Sequence, residues 1–554
     1  MKSSILPSPL NRAMLDRPLP LGEGKIGTPL VRLPVTGRLS TDILRAVFFT
    51  LLFLTMCGCG RGIPVISGQA YYVDCVKGKD TNSGASPAQA WGTLEKVNAT
   101  VFAGGDGIFF KRGETCAGTL WPKGSGEEGA PVLLGAYGGG KPPLIDGGGN
   151  EEALKLYDQE YWQVQDLETT GGTRYGVLVS GSDIQRLHGI HLKNLTVHDV
   201  TGGKMDSKTT GLVIVTGQTF EEVLIEGVTA YNTTLWGGIE IVGGKERTTQ
   251  AVIRNSVVHN VYGDGIVLWH VEDGLIEKST AYDTGLQPPP QTIGTPSSIW
   301  TWSCYDCTVQ YNESYRAFSP AVDGGCYDID WGTKNNVYQY NYGHDCSGYC
   351  ISVFGAGGLT TENAVARYNV CANNGRDKSL AASQGDIYLS TWDNGHLDGV
   401  LIYNNTFYWD PEINTSAMVN KAEFTGSRPN LFANNILVST ASWLIDSRGG
   451  LKFDHNLYWY EGDRPLIWTV GKEVYPGLAD FQKSGQEAHG LFANPKLRDP
   501  TSHAIGFPQE AFKLLKGSPA IEAGLDLGEM GGRDFFGNPI PQGLAVDIGA
   551  CEWR

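Results

Sequence analysis

Two carboxylates two residues apart, Asp328 and Asp330, stand inside the run from Val322 to Gly332. On an extended strand such residues point to the same side, about 6.5–7 Å apart. That spacing matches the lower end of the separation at which one carboxyl protonates a glycosidic oxygen while the other activates a water. One of the pair would be a general acid with a raised pKa and the other the base. Asp323 and Arg316 precede this strand, and His344 and Asp345 precede the next. Asp328, Asp330, Asp323, His344 and Arg316 are therefore the candidate catalytic residues.

Aromatic side chains accompany the acids. A sugar ring offers an apolar face to stack on Trp or Tyr and a rim of hydroxyls for carboxylates. Glu240, Trp269, His270, Trp300, Trp302, Tyr388 and Trp392 are candidate substrate contacts, with Arg376 and Lys378 from the segment 371–385. Glu240 lies three rungs from the acid pair, about 14 Å, which suits a subsite. Plainer roles compete: Trp300 and Trp302 as cover for the chain beneath, Asp264 as the cap of a glycine turn, and His270 as a solvated strand end. In a different chemistry Asp323, Asp328, Asp330 and Asp345 would hold Ca²⁺, a hard ion that takes several oxygen ligands. Arg316, Lys378 or Arg376 would then remove a proton next to a uronate carboxyl. The hydrolytic reading expects no cofactor and no metal.

These residues are positioned by a repeat. Short apolar segments end in LeuLysAsn194, IleArgAsn255, GlnTyrAsn312, GlnTyrAsn341, ArgTyrAsn369, TyrAsnAsn405, AlaAsnAsn435 and AspHisAsn456, with Gly227 and Lys278 at two further corners, at intervals of 21–36 residues. A second set of strands lies between them, GlyLeuValIle from Gly211, GlyIleGluIle from Gly238 and TyrAspIleAsp from Tyr327 among them. No helical period separates the two, so each unit is one turn of a solenoid. Period-two alternation turns Ile239, Ile241, Ile266, Leu268, Ile299, Tyr327, Ile329, Ile351 and Leu389 inward. Glu240, Val267, Trp269, Trp300, Trp302, Asp328, Asp330, Ser352, Tyr388 and Ser390 face outward.

Corner asparagines, in-register apolar strands and irregular outer loops resemble the right-handed parallel β-helix of the pectate-lyase-like superfamily. The opening stretch from Tyr71 to Gly84 and the closing GlySerProAlaIle from Gly517 are similar to exported bacterial carbohydrate-active members. The resemblance implies an all-β, single-stranded parallel β-helix of about ten or more coils with an N-terminal cap. Each Asn would bond its neighbour one rung away. The same coil carries hydrolases, lyases and non-catalytic glycan-binding proteins.

Composition narrows the rest. The chain has 554 residues, 74 of them glycine, with 10% aromatic and 18% charged residues and a net charge of −16. That is a strand-and-turn composition without the basic footprint a nucleic-acid partner requires. The expected partner is a polysaccharide or oligosaccharide, bound by a monomer. The apolar run from Ala46 to Met56, followed by Cys57-Gly58-Cys59, reads as a signal peptide with lipidation at Cys59 or, as second choice, Cys57, which implies an exported protein, an outer-membrane or cell-surface lipoprotein, periplasmic or secreted. Residues 1–59 are then a leader and 60–554 the β-helix, with a cap and first coils at 69–150, central coils at 151–456 and last coils with a cover at 457–554. One short helix is expected between Trp91 and Thr100. Nine cysteines follow the leader, an odd number that leaves at least one unpaired within the chain.

Overall fold

The computed structural model describes residues 66–554 except 289–292, 378–383, 410–416, 440–443, 462–467, 503 and 508–509. The leader and the proposed anchor at Cys59 lie outside the described residues, as does Lys378. Pro64–Arg554 forms one unit.

Each turn of the chain lays down three strands. In one coil these are Gly211–Val215, Phe220–Glu226 and Thr229–Thr233, after which Gly237–Val242 begins the next. Successive coils stack strand on strand into three long sheets of 13, 15 and 14 strands. We call these the first, second and third sheets, in the order a coil visits them. The ladders are parallel, apart from the terminal hairpin of Trp468–Val470 with Glu473–Tyr475 in the first sheet. This is the expected parallel β-helix.

Alternation assigns the side chains as the sequence suggested. In the first sheet Val213, Ile239, Ile266, Ile299, Tyr327, Ile351, Ile387 and Met418 form one continuous inward row and belong to a single core. The adjacent outward row is Ile214, Glu240, Val267, Trp300, Asp328, Ser352, Tyr388 and Val419.

The corner between the second and third sheets carries the asparagine ladder. Asn312, Asn341, Asn369, Asn405, Asn435 and Asn456 each donate from Nδ2 to the next Oδ1 at 2.9–3.0 Å, the last to Glu487 Oε1 at 2.6 Å. Each also returns a bond to a backbone carbonyl of the coil before, such as Asn369 Nδ2 to Tyr338 O at 2.9 Å. One part of the repeat is corrected by one residue. Asn194, Gly227, Asn255 and Lys278 have φ of 52°, 67°, 51° and 50°, and so match Tyr311, Tyr340 and Tyr368 rather than Asn312, Asn341 and Asn369. Asn tolerates this left-handed turn position better than most residues. Ser256 and Ser279 occupy the ladder position in those coils, and Ser279 N donates to Asn312 Oδ1 at 2.9 Å.

The ends are covered. The helix expected near Trp91–Thr100 is Leu94–Asn98, with Thr93 accepting from Lys96 N, and it buries Leu94 and Val97. A helix the sequence did not suggest, Leu478–Lys483, buries Phe481 at the other end. The C-terminal stretch folds back along the outside: Phe507 meets Tyr311, and Asn404 Nδ2 donates to Asp547 O at 2.8 Å. Disulfides join Cys75 to Cys116, Cys326 to Cys346 and Cys350 to Cys371, while Cys304, Cys307 and Cys551 are free and buried.

Candidate active site

The outward row of the first sheet assembles a carboxyl cluster. Asp328 pairs in register with Trp300 below and Ser352 above. Ser352 Oγ donates to its Oδ1 at 2.7 Å, and Tyr349 Oη lies 3.4 Å from Oδ2. The sequence made Asp328 a wall of an open groove. It is instead 4% exposed, and Glu240 is 2% exposed, because loops lie over this part of the sheet. Ser297 from one loop donates its N–H to Asp264 Oδ1 at 3.0 Å, and its hydroxyl meets Tyr349 Oη at 2.9 Å.

Asp323 and Asp330 are only half-buried and form the reachable edge of the cluster. Trp331 N donates to Asp330 Oδ1 at 2.8 Å. Asp323 and Gly324 form a left-handed turn, with φ of 67° and 71°. The next residue must be glycine, since a Cβ at Gly325 would lie 1.9 Å from the Tyr349 ring.

Burial and mutual repulsion act on every acid here. Loss of solvation, then Asp330 and Asp323, push the Asp328 carboxyl well up. Burial raises Asp330 to about 8, against the Trp331 N–H, with Asp323 adding to the rise. Burial raises Asp323 to about 6, held back by Thr295, Lys208 and Tyr349. Asp264, bonded by Trp236 Nε1, also rises to about 6. Glu240 is pushed well up by burial and by Asp264, and its Oε1 is buried without a hydrogen bond. Two reachable carboxyls are thereby held at different protonation states near neutral pH.

A cation answers the cluster. Lys208 lowers the pKa of Glu240, Asp264, Asp323 and Asp330, and its Nζ lies 5.0 Å from the Trp236 ring centre. Sequence reasoning missed Lys208, Trp236, Tyr349 and Trp331. Trp331 follows the end of its strand at Ile329, so alternation misses that its ring reaches Trp302. Trp269 stacks on Trp302 at 4.3 Å, and Trp302 meets Trp331 at 4.9 Å and Trp300 at 6.3 Å. This indole ladder flanks the acids.

Other expected members lie apart. Arg316 and His344 belong to the third sheet, not to loops entering the first. Arg316 is held by Asp283 at 2.7 and 2.8 Å. His344 is buried between Asp345 at 2.8 Å and Glu313 at 3.3 Å, and these partners raise its pKa against the opposing effect of burial. It stacks on Tyr315 in a row of rings through His198, Tyr231, His259, Tyr282 and Tyr315, with centres 4.8–5.1 Å apart. Asp345 bonds Asn373, which in turn accepts from Arg376 at 2.5 Å. These bonds tie Asp345 to His344 and Asn373, Arg376 to Asn373, and Arg316 to Asp283. His270 follows the strand Ile266–Trp269, its backbone N–H donating to Trp302 O at 2.8 Å, and burial lowers its pKa to about 4. Tyr388 continues the outward row and packs near Tyr349 at 6.0 Å. Trp392 is 45% exposed and packs edge-on against Phe354.

A family comparison supports the architecture. Residues 175–407 match a family described as "Right handed beta helix region". A curated relative, the lacto-N-biosidase of Bifidobacterium longum subsp. longum, is 25% identical over 88% of this chain and 36% of its own length. The chain therefore spans about a third of that relative. A crystal structure of a lacto-N-biosidase of family GH136 from Eubacterium ramulus is similar at 20% identity, with a TM-score of 0.48 over 77% of this chain and 69% of that one. A pectate lyase structure is similar at 16% identity, with a TM-score of 0.40 over 89% of this chain and 98% of that one. The chain is a right-handed parallel β-helix protein.

Proposed function

We propose that the protein is a glycoside hydrolase that cleaves an oligosaccharide or polysaccharide with a carboxyl pair at the edge of the buried acid cluster. The observation that carries this reading is the unequal pair Asp323 and Asp330, half-buried beside the indole ladder, with burial holding one near 6 and the other near 8. At neutral pH Asp330 keeps its proton and acts as general acid toward the leaving oxygen. Asp323 is mostly ionised and acts as nucleophile or base. Asp328, behind them and bound by Ser352, is a positioning residue whose own carboxyl is held protonated by burial and by its neighbours Asp330 and Asp323. Trp302 and its stacked neighbours supply the sugar platform.

The curated relative's name, lacto-N-biosidase, makes lacto-N-biosyl oligosaccharides the first substrates to test. Export with a lipid anchor at Cys59 belongs to the same proposal and is supported by the three disulfides. The competing reading is a Ca²⁺-dependent lyase using Asp323, Asp328 and Asp330. Assays of reducing ends and of unsaturated-uronate absorbance, each with and without chelator, separate the two. Reducing ends alone, unaffected by chelator, support the hydrolase. Absorbance that disappears with chelator would replace it with the lyase.

A further inference from the structure

A second group of chemically able side chains sits at the far end of the solenoid. The last strand of the second sheet, Lys452–Asp454, is closed over by the segment 486–491. Phe453 N donates to Gln486 Oε1 at 2.9 Å, Glu487 N to Phe453 O at 2.8 Å, and Leu491 N to Asn456 O at 2.8 Å. Glu487 takes the place of the next ladder asparagine, accepting from Asn456 and Tyr458, each at 2.6 Å.

At the rim of this closure Asp454, His455 and His489 converge. Asp454 Oδ1 accepts the backbone N–H groups of His455 and His489, each at 3.0 Å. His489 Nδ1 lies 3.1 and 3.3 Å from the two carboxylate oxygens, and His455 Nδ1 lies 3.3 Å from Oδ1. The two imidazoles stack with centres 4.3 Å apart. One ligand atom from each residue falls within 4.8 Å of the others. Tetrahedral zinc, with Zn–N and Zn–O bonds near 2.0–2.2 Å, needs ligand atoms about 3.3–3.5 Å apart. His455 Nδ1 is buried and faces Asp454 Oδ1 at 3.3 Å without a well-aligned hydrogen bond, and a metal bond would satisfy it fully. His489 is exposed enough to leave a coordination position for water.

We propose that Asp454, His455 and His489 form a binding site for a divalent transition metal of the zinc class, which fastens the closing segment to the last coil. The donor set is two imidazoles and a carboxylate, suited to Zn²⁺ rather than Ca²⁺ or Mg²⁺. The site lies outside the acid cluster, so its role is structural.

The test is equilibrium dialysis of the chelator-treated full chain against Zn²⁺, with melting followed by circular dichroism. The proposal expects about one Zn²⁺ whose affinity falls at least ~100-fold in His489→Ala and in Asp454→Asn. It also expects a melting point raised by a few degrees by Zn²⁺ in the wild type only. His489→Ala, at an exposed loop position, keeps the test open if Asp454→Asn folds poorly. Equal Zn²⁺ binding by wild type and His489→Ala would overturn the proposal and locate the ion at other His–carboxylate pairs such as His188 with Glu160. Absence of Zn²⁺ binding at micromolar concentrations would also overturn it.

Discussion

Replacing Asp330 by Asn should make the protein more stable at neutral pH while removing its activity. Asn keeps the shape and can still accept from Trp331 N, so the change removes mainly an ionisable proton. The Asp330 pKa rises from 3.8 to about 8. For a carboxyl raised in the folded state, the protonated form contributes stability that is complete below the unfolded pKa and is lost as pH rises through the folded one. At pH 7 wild type therefore stands about three pH units above the unfolded value, a cost of about 4 kcal/mol at ~1.4 kcal/mol per unit. Partial exposure and sharing of the charge with Asp323 and Asp328 reduce this to about 2 kcal/mol. Asn carries no such cost. Melting curves should place the variant a few degrees above wild type near pH 8 and level with it near pH 4. Turnover should fall by about 10²–10⁴-fold. A variant less stable than wild type at both pH values, or a gain independent of pH, would refute the claim that burial holds this acid neutral.

Four further outcomes follow from the same geometry. The pH profile of kcat/KM should be a bell, falling below about 6 as Asp323 gains a proton and above about 8 as Asp330 loses one; a flat profile between pH 5 and 9 on a neutral substrate would contradict both assignments. Trp302→Ala should raise KM about tenfold with little change in kcat, read from initial rates, because it removes the centre of the indole ladder. Asn369→Ala should cost about 3 kcal/mol in denaturant melts, since it strands the Asn341 N–H and amide as well as Tyr338 O. The double change of Cys326 and Cys346 to Ser should cost about 3 kcal/mol and lower turnover, because this bridge, spanning 20 residues, encloses the acidic strand.

The fold was legible because the solenoid writes itself into the sequence twice, in period-two strands and in corner residues. Rows such as Ile239, Ile266 and Ile299 could be read directly. The one-residue slip at Asn194 and Asn255 arose because Asn suits two adjacent corner positions for different reasons: tolerance of positive φ at one, and the inter-coil amide ladder at the other. Asp328 and Asp330 were visible for the same periodic reason. The burial of Asp328 was not, because loops cover it and loops carry no period. Lys208, on such a loop, offered no signal. Tyr349 offered a weak one: it directly precedes Cys350, and Gly325 leaves room for its ring. Arg316 and His344 were misassigned because a strand of the third sheet and the loop entering the next coil are contiguous in sequence.

The most direct measurement is product formation by the purified full chain from lacto-N-biosyl oligosaccharides and from neutral and uronate polysaccharides. Wild type, Asp323→Asn and Asp330→Asn are compared, with chelator present and absent. The account predicts new reducing ends without unsaturated-uronate absorbance, undiminished by chelator and nearly abolished in both variants. Full turnover in either variant, or absorbance that disappears with chelator, would contradict it.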